Sequence, residues 1–201
     1  MAYQKLRVSP NAPQRVKEYI ERCWLDRWFY EAHWLLSRET EPKSDAVSVP
    51  FQYVTILFLL EVVGGISKVF YNHPNQRPGD RFKAVLAKYY PWDLEPPGCA
   101  DVTSGPRFLY EAFRNPFAHE LGIPNKQSGG MGFMAMSFSE VDLEILEQSL
   151  TRPPLADRTL DVYPYGRLSL HIPGFYWGLR AMVYRLTDDT AMMTKIIPTL
   201  R

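Results

Sequence analysis

Arg114, Asn115 and His119 stand close together in the stretch LYEAFRNPFAHEL, residues 109–121. They form the one constellation in the chain whose residue types suggest a chemistry. A histidine trades protons as general acid or base near neutral pH, and an arginine holds anionic oxygens in a fixed fork. Other chemistries lack their residues. Four scattered histidines and no cysteine pair make no zinc site, and neither HExxH nor CxxC occurs. There is no Walker A, no GxGxxG and no GxSxG elbow. Val63-Gly64-Gly65 and Ser128-Gly129-Gly130 do not sit between a strand and a helix, and the acidic residues suggest no two-metal cluster. No metal or cofactor is expected, and metal-free acid–base chemistry at His119 is what remains for an enzyme.

The element that must position these residues is a helix. Gly105-Pro106 precedes the stretch, Gly122 follows it, and Pro124 forbids further helix. The spacing predicts a helix over 106–121, with Leu109, Ala112, Phe113, Pro116 and Phe117 on one apolar stripe. Arg114, Asn115 and His119 lie off that stripe. Asn115 and His119 are neighbours at i, i+4. Arg114 and His119 are five apart, and an ideal α-helix splays them by roughly 140°. A kink at Pro116, the reach of Arg114, or a symmetric dimer would bring them together. His119 falls in the last turn, where the helix dipole favours a cation.

This stretch resembles the HEPN superfamily (higher eukaryotes and prokaryotes nucleotide-binding domains). Its signature is an arginine followed by a polar residue and then a histidine at R-x4-6-H spacing, near the end of a bundle helix. Here it stands as Arg114-Asn115-Pro116-Phe117-Ala118-His119, and the flanking Glu-Ala-Phe and Glu120 also look like the family. Arg27 and His33 match the bare spacing, but Arg27 is followed by Trp28 in a core-like run. The chain departs from one toxin branch, which carries a tyrosine two residues after the histidine where this chain has Leu121.

The resemblance implies a mainly α, HEPN-like helical bundle. It implies a metal-independent endoribonuclease, a toxin or defence effector, that pairs two motifs across a homodimer and leaves 2′,3′-cyclic phosphate ends. His119 would be the acid or base, Arg114 would stabilise the phosphorane, and Asn115 would orient histidine or phosphate. Glu61 and Glu120 would be supporting residues. RNA or a nucleotide is the expected ligand, and an antitoxin or other protein an expected partner. The alternative is a non-catalytic HEPN-like module that binds a nucleotide or partner. In a third reading, the triplet merely caps its own helix end.

Composition sets the surroundings. At 201 residues with 46% hydrophobic residues, the chain has material for one domain, 1–201, with a sizeable core. Twenty-three basic residues against 22 acidic ones indicate no broad electrostatic grip on nucleic acid. Cys23 and Cys99 read as reduced thiols. The first 20 residues lack the apolar core of a signal peptide, and the longest apolar run, 54–60, stops at Glu61. The expected location is cytoplasmic, with no membrane segment.

In chain order, four to five helices and a small antiparallel β element are expected. Residues 1–12 read as a loose arm. A helix over 13–38 carries Leu25, Trp28, Phe29, Ala32, Leu35 and Leu36 on its buried stripe, with His33 as a core or boundary residue. A loop over 39–48 leads to a central, most buried helix over 49–71. Within it Glu61 needs a partner, either in a structural ion pair or in orienting Arg114 or His119. Gly64-Gly65 would permit close helix packing. A helix over 80–90 buries Phe82, Val85, Leu86 and Tyr89; its basic side, with Arg81, Lys83 and Lys88, reads as a solvated face, with an RNA-facing strip as the alternative. After the motif come a loop over 124–130, a strand near 132–138 and a helix over 139–150. A hairpin then pairs 159–163 with 167–172. The last helix, 173–187, buries Phe175, Leu179, Met182, Val183 and Leu186 and extends weakly to 197.

Overall fold

The structure is a computed structural model. It describes residues 3–23, 25–37, 50–71, 75–95, 100–115, 133–134, 160–163, 167–170 and 172–200. The protein is mainly helical. Its α-helices are α1 (Gln14–Arg22), α2 (Leu25–Ser37), α3 (Pro50–Phe70), α4 (Pro78–Tyr89), α5 (Gly105–Phe108), α6 (Ile172–Asp188) and α7 (Thr190–Ile196). That is seven among the described residues, against an expectation of four to five. Short β-strands are β1 (Phe133–Met134), β2 (Leu160–Tyr163) and β3 (Arg167–Leu170), in sheet order β1-β3-β2. β2 runs antiparallel to β3, with Leu160 opposite Leu170, and β1 runs parallel to β3, with Phe133 opposite Leu168.

One expected helix is two. The break falls after Cys23, whose N–H donates to Tyr19 O at the end of α1. Each half buries its own stripe: Val16 and Ile20 in α1, and Leu25, Phe29, Ala32 and Leu36 in α2. A stripe at helical spacing does not report a change of axis, because each half satisfies the period by itself. Trp28, expected on the buried stripe, is 44% exposed and stacks on Phe58 at 5.0 Å.

α3 packs against α2, α4 and α6 and is the central helix. Ile56, Leu59, Leu60, Val63 and Ile66 are buried among the apolar residues of its neighbours. α4 buries Phe82, Val85, Leu86 and Tyr89, and α6 buries Phe175, Leu179, Met182, Val183 and Leu186, both as their periodicity requires. The polar side of α4 is not one solvated face. Lys88 donates to Asp189 at 2.9 Å, Lys83 pairs with Asp80, and Arg81 turns its Nη1 to Gln76 O.

Residues 3–12 do not form a loose arm. The N–H of Leu6 donates to Asp26 Oδ1, and the N–H of Ser9 to Thr187 Oγ1 at 3.0 Å. Arg180, on the same helix as the apolar stripe of α6, is buried. Its guanidinium donates to Tyr176 Oη and to the carbonyls of Gln4 and Lys5. A helix stripe shows which residues avoid the core by type, but a guanidinium that finds carbonyl acceptors in a distant segment can enter it. Among the described residues, no helix is long and apolar enough to cross a membrane.

Candidate functional site

α5 does not continue as an α-helix into the motif. From Leu109 to Arg114 it widens into a π-helix, and the N–H of Asn115 donates to Tyr110 O, five residues back. The sequence contains the reason. The next residue, Pro116, has no N–H to give to the Ala112 carbonyl, so the α ladder cannot be completed there. Pro116 itself, where a kink was expected, lies outside the described residues. The effect of the π turn falls on Arg114. In α register, Arg114 and the buried Leu109 would point roughly 140° apart. In the π turn, residues five apart lie on much the same side, and Arg114 is part-buried, with 24% of its side chain exposed.

There Arg114 meets Glu61. Its Nη2 lies 3.5 Å from Glu61 Oε1, and its guanidinium sits 5.9 Å from the ring centroid of Tyr110. Tyr110 packs on Phe82 of α4, with centroids 5.4 Å apart. Its ring is so close to Gly79 that a Cβ there would come within 2.6 Å of it. The Pro78-Gly79 start of α4 therefore makes the space for the tyrosine that supports Arg114.

Glu61 was expected inside a buried helix. It is instead about half exposed, on a stripe of the largely apolar α3 that faces the cleft. Glu61, Gly64, Gly65 and Lys68 fall at i, i+3, i+4 and i+7, one face of a helix. The two glycines do not bring helices together. Among the described residues, a Cβ at Gly65 would meet nothing within 4 Å, and one at Gly64 only Glu61 Oε2 at 3.8 Å.

This stripe is the floor of a cleft of about 480 Å³ between α3, the start of α4 and the π-helical turn. Among its described lining residues, Lys68, Arg81 and Arg114 are cationic and Glu61 is anionic, a formal surplus of two positive charges. Arg81 Nε is buried without an acceptor among the described residues. Trp28 stands on one wall. Two smaller hollows adjoin the cleft around Cys23, Trp28, Phe58 and Val62. Such a cleft can hold an anion and a flat apolar group side by side.

Of the residues named from sequence, the fold joins Arg114 and Glu61 in this cleft, and Asn115 follows Arg114 directly. His119 and Glu120 lie outside the described residues, as do the helix end at 121, the loop over 124–130, the helix over 139–150, His73 and Cys99. Lys68 was not recognised as a site residue. Its spacing from Glu61 carried the signal, a charged residue continuing the stripe of Glu61 on a largely apolar helix. The second spacing match forms no site. Arg27 is exposed and bonded to Glu31 at 2.9 Å, whereas His33 is buried against the rings of Tyr3 and Tyr176. Among the described residues, no group of three or more His, Cys, Asp or Glu is placed to hold a metal ion. Comparison with known proteins finds no matching family model, curated protein or solved structure.

Proposed function

We propose that the chain is a HEPN-like metal-independent endoribonuclease of the toxin or defence kind. In this reading it has a bundle of HEPN type with a small antiparallel β element in its C-terminal half, and works as a homodimer in the cytoplasm. The observation that supports it is the position of Arg114, drawn by the π-helical turn into a cationic cleft with Lys68 and Arg81. Arg114 would hold the charge that builds on the phosphorane. His119, five residues on, would take the 2′-hydroxyl proton or protonate the 5′-oxygen that leaves. Asn115 would orient the histidine or the phosphate, with Glu61 and Glu120 supporting.

A second reading is a HEPN-like module that binds a nucleotide or protein without chemistry. It draws support from the ion pair itself, because the Glu61 carboxylate occupies Arg114 where a phosphate would otherwise bind.

The test is RNA cleavage in EDTA by wild type, Arg114→Ala and His119→Ala, each checked for fold by circular dichroism. Cleavage by wild type alone, with cyclic phosphate ends, is the expected result. Three inactive proteins across varied RNAs would move the binding reading to first place, and three equally active ones would make the motif structural.

A further inference from the structure

We propose that Lys68 and Arg81 hold the phosphate adjoining the one at Arg114, and that Trp28, at the other end of the same cleft, stacks a base of the same strand. The inference rests on the ribonuclease reading and adds to it where the neighbouring nucleotide binds.

The cleft is longer than one phosphate contact. Glu61, which touches Arg114, and Lys68 are two turns apart on α3, about 10 Å along the axis. Lys68 therefore serves a different part of the ligand from Arg114. Gly64 and Gly65, between them, keep that floor free of side chains, with nothing among the described residues within 4 Å of a Cβ at Gly65. Arg81 approaches from α4 on the opposite side of the cleft. Its backbone bond to Gln76 O fixes one end of the guanidinium, and its buried Nε has no acceptor among the described residues.

Trp28 supplies the second half. Phe58 covers one side of the indole by stacking at an interplanar angle of 25°, yet the residue remains 44% exposed and lines the cleft at the Phe58 end of α3, about 15 Å along the axis from Lys68. Cations along a groove with an aromatic ring in the same groove are the physical recipe for a single strand. The phosphates are held electrostatically, and an unpaired base stacks on the ring. A duplex presents no unstacked base, so the occupant is single-stranded RNA.

The test is fluorescence anisotropy of a short labelled single-stranded RNA. The parent is the full chain carrying His119→Ala, which leaves the probe intact. Lys68→Glu, Arg81→Ala, Trp28→Ala and Trp28→Phe are added singly, with Lys195→Glu on α7 as the control for lost charge. Lys68 is exposed, so its reversal tests the subsite without disturbing the core. The expected result is about tenfold weaker binding for Lys68→Glu and Trp28→Ala, with Trp28→Phe near the parent. The salt dependence should be shallower by about 0.7 for Arg81→Ala, one phosphate contact. In the His119-intact chain, Lys68→Glu should raise KM and leave kcat unchanged. If all four variants bind like the parent, or if Lys195→Glu weakens binding as much as Lys68→Glu, the subsite is overturned while cleavage by wild type stands. If the parent binds no RNA, the subsite and the ribonuclease reading fall together.

Discussion

Arg114 Nη2 lies 3.5 Å from Glu61 Oε1, which ties the motif's arginine to the cleft-facing stripe of the central helix. The carboxylate is close to half exposed, so the pair contributes at most about 1 kcal/mol to stability. Its consequence is orientation. Glu61→Gln should leave the unfolding free energy from urea melts within about 0.5 kcal/mol of wild type, lower kcat for RNA cleavage several-fold and leave RNA affinity undiminished. A variant with wild-type kcat would remove Glu61 from the supporting residues.

Two glycines at the cleft should respond in opposite directions. Gly79→Ala drives a methyl into the Tyr110 ring, and overpacking of this kind costs about 1–3 kcal/mol. Gly65→Ala, on a helix, meets open space among the described residues and should stabilise by up to about 1 kcal/mol. Thermal melts of the two variants check the pair. If Gly79→Ala melts at the wild-type temperature, Tyr110 is not held where the structure has it.

Asp189 contributes to the acid limb of stability. The Lys88 ammonium bonded to its side chain holds its pKa down to about 2, helped by the Met192 N–H that it caps and by the Tyr89 hydroxyl. Its pKa is depressed on folding. The stability it adds is therefore complete above the unfolded value of about 4 and is lost as pH falls through the folded one. Asp189→Asn keeps a capping oxygen but not the charge. Its deficit against wild type in urea melts should be constant at neutral pH and shrink between about pH 4 and pH 2.

Arg180 ties the N-terminal segment to α6. Arg180→Met keeps much of the side chain's bulk but removes the donors to Tyr176 Oη and to the carbonyls of Gln4 and Lys5. A loss of about 3 kcal/mol in urea unfolding is expected. Amide exchange over residues 3–9 should quicken before the rest of the core. Uniform protection would show that Asp26 and Thr187 suffice to anchor that segment.

Local patterning and the residue types of the motif determined part of this protein directly. The periodicities of α4 and α6 named their buried faces, because a helix with one apolar side has one way to bury it. The Arg–Asn–x3–His spacing singled out the stretch worth testing, and Pro116 announced that the α ladder must fail nearby. Tertiary structure decided what local period cannot express. It split α1 from α2, exposed Trp28 and drew Arg180 inward to carbonyls more than 170 residues away. It also turned Glu61 from a buried carboxylate in need of a partner into a half-exposed one beside Arg114. Such outcomes depend on which surfaces meet across the core. A pair such as Glu61 and Arg114 shares no local spacing by which either residue could point to the other.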